Sequence, residues 1–216
     1  MRLVFLGPPG AGKGTQAARM AERFGVRHAS TGEIFRQAAA DGSELGRTVK
    51  DYLDSGGLVP DELTSRVVEE MVVGRSDSYL LDGYPRTLRQ AHDLDAMLGR
   101  RGQELDLVVC FDLDDEQALR RLTGRLVCAE CGENYHREFM PPQAEGVCDG
   151  CGGPLKVRSD SAEEVVRNRL AQYDEKTRPL VAYYEERGLM ERVDAAPAPQ
   201  EVTRRTEALL SRIASR

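Results

Sequence analysis

The sequence predicts an α/β fold: a parallel five-stranded sheet flanked by helices, with two inserts. Three observations carry this. Residues 3–6 form a continuous apolar run that ends at a glycine-rich loop, as a strand buried on both faces would. Short apolar runs then alternate with longer amphipathic stretches, the pattern of strand–helix–strand crossovers. Two segments break that alternation, and both differ in composition from the rest.

In chain order, residues 3–6 give the first strand and about 13–24 the first helix. A weak strand follows at 26–29. Ser30-Thr31 can cap a helix beginning near Glu33. Pro60-Asp61 opens a helix running toward Val73. Residues 79–82 give the third strand, stopped by Gly83 and Pro85. Residues 107–111 and 190–193 give the fourth and fifth, and long helices are expected over about 162–187 and 200–213. Residues 30–59 carry two helices where one would suffice. Residues 126–158 are rich in Cys, Gly and Pro and suggest no helix. The expected division is a core of 1–29, 60–125 and 159–216, a helical insert at 30–59 and a small metal-bound insert at 126–158.

The chain has 216 residues, enough for one core with inserted subdomains. Its net charge of −6 disfavours general nucleic-acid binding. A site for anionic ligands must therefore gather its positive charge locally. No apolar run reaches bilayer length and no signal peptide is evident, so a cytoplasmic protein without membrane association is expected.

Gly7-Pro8-Pro9-Gly10-Ala11-Gly12-Lys13-Gly14-Thr15 lies between the first strand and the first helix. Such a loop turns backbone N–H groups around phosphate oxygens, with the helix N-terminus behind them. Gly10, Ala11, Gly12, Gly14 and Thr15 are the expected cradle, and Lys13 the cation that reaches the terminal phosphates. The usual Ser or Thr after the lysine, which would hold Mg²⁺, is here Gly14. Asp82, at the end of the third strand, is the carboxylate expected to take that part through metal-bound water. Four of the five cysteines form two CxxC pairs, Cys128/Cys131 and Cys148/Cys151, spaced for a closed tetrahedral zinc site. The acidic runs at 112–116 and 163–164 sit at expected helix starts. Cys110, inside an apolar strand, reads as a small buried hydrophobe.

The variant phosphate loop is followed by Ser30-Thr31-Gly32 with Arg36, then Gly57-Leu58-Val59-Pro60, then Asp82-Gly83-Tyr84-Pro85-Arg86-Thr87 with Gln90. In that order and spacing they resemble the adenylate kinases among the nucleoside monophosphate kinases, over nearly the whole chain. The resemblance implies reversible phosphoryl transfer from MgATP to AMP, giving two ADP, by a monomer with a structural zinc in its lid. It implies an AMP site of Thr31, Arg36, Gly57, Leu58, Val59, Gly83, Tyr84, Pro85, Arg86 and Gln90, with Gln90 reading the adenine edge. It implies that Arg121, Arg125, Arg158 and Arg169 close over the transferring phosphoryl group beside Lys13, Arg86 and Asp82, with Arg158 and Arg169 also reaching AMP. Arg125, Asn134, Tyr135 and Pro197 would contact ATP. Arg120 and Arg167 are expected in surface or helix ion pairs. A UMP/CMP or GTP:AMP kinase of the same fold is the near alternative; the long lid argues against the UMP/CMP type. A zinc-ribbon nucleic-acid-binding NTPase is the distant one, and the acidic bias around the cysteines argues against it.

Overall fold

A computed structural model of the chain describes residues 1–74, 76–157 and 161–214. Five strands form the parallel sheet: β1 (Arg2–Leu6), β2 (Arg27–Ser30), β3 (Tyr79–Asp82), β4 (Leu107–Asp112) and β8 (Met190–Asp194), in the order β2-β3-β1-β4-β8. All five expected strands are present within a residue or so at their ends. The apolar run at the start is explained by burial on both faces. Val4 and Leu6 enter a core with Leu81, Leu94, Val108 and Leu180. Leu3 and Phe5 enter another with Ala17, Met20, Phe111 and Leu210. The first core packs α5 (Leu88–Gly99) and α8 (Pro179–Glu185) on one face. The second packs α1 (Lys13–Phe24) and α9 (Pro199–Ala214) on the other.

The register places the functional loops. Phe5 pairs with Asp82, and Ser30 pairs with Asp82 from the other side. The loops leaving β1, β2 and β3 therefore emerge together at the carboxyl edge, where open α/β sheets bind ligands.

Two long helices expected from sequence prove to be interrupted. The helix from Pro60-Asp61 is α4 (Asp61–Val68) followed by a π-helical turn, Glu69–Val73. The stretch expected over 162–187 is α7 (Glu163–Gln172), a π-helical turn at Tyr173–Thr177, then α8 with Pro179 at its first position. Proline lacks the N–H that would continue the ladder, and it tolerates a helix only at its start. Periodicity alone does not reveal such a wide turn, because apolar spacing persists through it.

Residues 31–55 form the expected helix pair, α2 (Thr31–Ala40) and α3 (Glu44–Ser55), capped by Ser30 on Glu33 N–H and Ser43 on Gly46 N–H. Their small core is Phe35, Val49, Val59 and Val67. At Gly46 an added Cβ would stand 1.9 Å from the carbonyl oxygen of Ala38, so the two helices approach as closely as backbones allow. The Cys-rich segment is an antiparallel sheet of β5 (Arg125–Cys128), β6 (Asn134–His136) and β7 (Leu155–Val157), with β5 central. Its strands are only three or four residues long. At that length the alternating pattern of a strand cannot be read against a background of turns.

Of the acidic runs, Asp114 caps α6 (Asp115–Thr123) through Gln117 N–H, at 2.8 Å. Asp112 does not serve the helix. It ends β4 and pairs with Arg192 of β8 at 2.9 Å. Glu163 pairs with Arg167 one turn on, and Arg120 pairs with Glu138, so both arginines hold surface ion pairs as expected.

Candidate active site

The phosphate loop owes its shape to close approaches that a side chain would block. An added Cβ would lie 2.5 Å from the Phe111 carbonyl oxygen at Gly7 and 2.9 Å from the Ala118 carbonyl oxygen at Gly10, both at positive φ. Gly12, also left-handed, stands at the start of α1. Lys13 folds back so that its Nζ donates to Gly7 O at 2.7 Å and Pro8 O at 2.8 Å. Burial lowers its pKa from 10.5 to about 8. Asp82 opposes that fall, and Arg86, Arg169 and Arg125 add to it. Gly14 leaves Asp82 close room beside the loop: an added Cβ would stand 3.2 Å from Asp82 Oδ2, tight enough to press the carboxylate back by a few tenths of an ångström. The residue that displaces the usual hydroxyl thus lets the carboxylate come in beside the loop.

Asp82 is 9% exposed. Burial raises its carboxyl, but contact with His28 and the charges of Lys13 and Arg86 outweigh that and hold it below the ordinary value. His28 Nε2 stands 3.8 Å from Asp82 Oδ2. No local pattern in the sequence links His28 to Asp82; only the pairing of β2 with β3 brings them together.

A cavity beside the sheet edge is lined by Thr31, Phe35, Arg36, Gly57, Leu58, Val59, Gly83, Arg86, Gln90 and Arg169, with Tyr52, Leu53 and Thr64. It gathers most of the expected acceptor residues. Thr31 Oγ1 and Arg86 Nε both donate to Gly83 O at 2.9 Å, which aligns the threonine with the guanidinium. Burial lowers the Arg86 pKa and Asp82 raises it. Tyr84 is placed differently. Its ring is 1% exposed, and its hydroxyl reaches Gln90 O and Ser65 Oγ at 3.0 Å, so it braces the wall from behind. Pro85 lines a second cavity with Lys13, Arg86, Arg169, Tyr173 and Thr177. The two cavities share Gly56, Leu58, Gly83, Arg86 and Arg169. Phe35, Tyr52 and Thr64 on one side, and Tyr173 and Thr177 on the other, were not singled out from sequence.

The lid residues divide. Arg125 opens β5, opposite His136 of β6. Arg121 Nη1 donates to Ala195 O and Nη2 to Ala196 O, both at 2.8 Å, beside Pro197 in the loop before α9. Asn134 is exposed and faces the broad cleft between the lid sheet and α2–α3. The Tyr135 side chain turns the other way, into the thiol cluster. It is 5% exposed, and its hydroxyl accepts from Asp149 N–H at 2.8 Å and contacts Glu133 Oε2 and Cys148 Sγ. Its ring is therefore not offered for stacking on a base. Arg158 lies outside the described residues.

The four cysteines of the CxxC pairs converge, with all four Sγ atoms within 4.8 Å of one another. Cys128–Cys151 Sγ atoms stand 3.4 Å apart and Cys131–Cys148 3.6 Å, far beyond a disulfide's length of about 2.05 Å. A tetrahedron with metal–sulfur bonds of about 2.3 Å has edges of about 3.8 Å, so the set fits a divalent metal. The two knuckles match. Gly132 N–H returns to Cys128 O, and Gly152 N–H to Cys148 O, each glycine at positive φ. Backbone hydrogen bonds from Cys131 and Glu130 pull the Cys128 thiol down to about 6. Cys151, despite a bond from Gly153, is pushed up by its neighbours to about 12. Thiols this close resist ionising together unless a cation joins them. Cys110 is outside the cluster, 1% exposed in β4, and burial raises its thiol to about 12.

A phosphate-binding loop on a parallel sheet, joined through the half-buried Arg86 and Arg169 to a second cavity under a helical insert, defines a P-loop phosphotransferase with two anionic substrates. Comparison with known proteins agrees. The adenylate kinase family profile matches residues 5–189. The adenylate kinase of Acidothermus cellulolyticus is 50% identical over 212 residues, covering 97% of this chain and 98% of that one. Those of Fervidobacterium nodosum and Carboxydothermus hydrogenoformans are 48% and 47% identical over 206 and 204 residues, covering 94% of this chain and 94% and 95% of theirs. The chain belongs to the adenylate kinase family.

Proposed function

We infer that the chain transfers the terminal phosphoryl group of ATP to AMP, reversibly, giving two ADP. The observation that carries this is the shared wall of the two cavities, where Arg86 and Arg169 face both the phosphate loop and the acceptor side. Two nucleotides entering from opposite sides would meet there phosphate to phosphate.

An oxygen of the AMP phosphate attacks the γ-phosphorus, and the bond from that phosphorus to the β–γ bridging oxygen breaks. The attacking oxygen is already anionic, so no side chain need remove a proton. What remains is charge and alignment. Lys13 leaves its carbonyl partners for the terminal phosphates, and their charge restores its affinity for a proton. Arg86 and Arg36 grip the acceptor phosphate through planar forks. Arg169, Arg125, Arg121 and Arg158 complete the cationic cage as the lid closes and expels water that would otherwise be phosphorylated. Mg²⁺ bound with ATP would neutralise part of the phosphate charge. Asp82 is the residue that would hold it, through water. Backbone at Asn134-Tyr135 and the loop at Pro197 would border the donor nucleotide.

Zinc is the metal we assign to Cys128, Cys131, Cys148 and Cys151. Four thiolates leave no open position, so its part is structural. This reading places the protein in the cytoplasm, where thiols stay reduced, as a monomer. The test is ADP formation from MgATP plus each of AMP, GMP, CMP and UMP. AMP is expected to dominate; equal or faster turnover with UMP or CMP would overturn the assignment.

A further inference from the structure

Gln90 is 2% exposed and lines the acceptor cavity, yet its carboxamide is already engaged from behind. Nε2 donates to Asp61 Oδ1 at 2.7 Å, and Oε1 accepts from the backbone N–H of Arg86 at 2.8 Å. A carboxylate only accepts and a backbone N–H only donates, so these two partners fix which end of the amide is which. Asp61 is itself pinned. Its Oδ2 accepts from Thr87 Oγ1 at 2.9 Å, and that hydroxyl accepts from Gln90 N–H at 3.1 Å.

We propose that Asp61 determines the base selectivity of the acceptor cavity by locking the carboxamide of Gln90 in one orientation. This rests on the AMP-acceptor reading and names the device that selects adenine. Each end of the amide keeps one capacity for a ligand: a second N–H on Nε2 and a second lone pair on Oε1. Adenine offers the complement, an acceptor at N1 beside a donor at N6. A 6-oxopurine of nearly the same shape offers the reverse, a donor at N1–H beside an acceptor at O6. To receive it the amide must turn over. Its oxygen would then face the Asp61 carboxylate and its NH₂ would face the Arg86 N–H, two like-against-like contacts in a partly buried wall. A free glutamine would serve both bases; a clamped one serves adenine. The residue that clamps it stands behind the cavity wall and touches no nucleotide.

Two arms test this, both read as kcat/KM with MgATP. In the unaltered protein, AMP should be the best acceptor. Purine riboside monophosphate, which keeps the N1 acceptor and lacks any 6-substituent, should exceed inosine monophosphate by at least about tenfold. The second arm is Asp61→Asn, whose side chain can turn either a donor or an acceptor toward Gln90. It should raise the KM for AMP more than it lowers kcat, and narrow the AMP-to-inosine-monophosphate ratio by at least about tenfold. A merely structural residue would weaken both acceptors together. Inosine monophosphate used as well as purine riboside monophosphate, or an unchanged ratio in a folded Asp61→Asn protein, overturns the proposal. No turnover of AMP by the unaltered protein would instead overturn the functional reading on which it rests.

Discussion

Replacing Lys13 with methionine should make the protein more stable at neutral pH while removing most of its activity. The lysine is held in the folded state with a pKa of about 8 against an ordinary 10.5, chiefly because burial disfavours its charge. At pH 7 the folded chain therefore carries a penalty of about 3 kcal/mol for keeping the ammonium charged. The sign follows from proton counting. Between pH 8 and 10.5 the unfolded chain holds the proton and the folded chain has released it, so stability rises with pH there. The penalty is full below pH 8 and fades toward pH 10.5. Lys13→Met abolishes it but also strands the carbonyls of Gly7 and Pro8, which the ammonium now satisfies. A net gain of about 1–3 kcal/mol at pH 7 is expected, shrinking by about pH 9.5. Urea unfolding of both proteins at the two pH values reads it directly. In the same variant kcat/KM should fall at least about a hundredfold. In the unaltered enzyme kcat/KM should decline above about pH 8, while kcat, which reports the nucleotide-bound form, holds to higher pH. A Lys13→Met protein less stable than its parent at pH 7, or more stable by the same margin at both pH values, would refute the argument.

Arg86→Ala should lower kcat/KM at least about a hundredfold with the melting temperature little changed, since the guanidinium serves both cavities; a fully active variant would show the shared wall is not where transfer occurs. Cys148→Ser should lower the melting temperature markedly yet leave much of the activity at low temperature, and Cys110→Ser should leave metal content at one zinc per chain. Metal analysis and melting curves on chelator-free protein check both. Gly46→Ala should cost about 1–3 kcal/mol by prising α2 from α3 against the Ala38 carbonyl, and should raise the KM for AMP more than that for ATP; equal effects on the two substrates would place the damage elsewhere.

The sequence by itself determined the fold class, the five strands, the phosphate loop, the thiol pairs and the family, because each is written in consecutive residues. Apolar runs record burial on both faces. The glycines at Gly7 and Gly10 record backbone contacts no side chain permits, and CxxC records two sulfurs aimed at one point. Tertiary structure alone decided the rest. Whether a helix holds its α-pitch or widens, as at Glu69–Val73 and Tyr173–Thr177, depends on what packs against it and on where proline stops the ladder. Tyr84 and Tyr135 sit inside binding motifs, yet their rings point into walls, because neighbouring residues on a turn or short strand face opposite ways. His28 meets Asp82, and Asp61 meets Gln90, across distances along the chain that no local pattern spans. Local spacing encodes backbone shape. Which side chains share a proton, a charge or an orientation is fixed only when parallel strands and packed helices bring their ends to the same edge of the sheet.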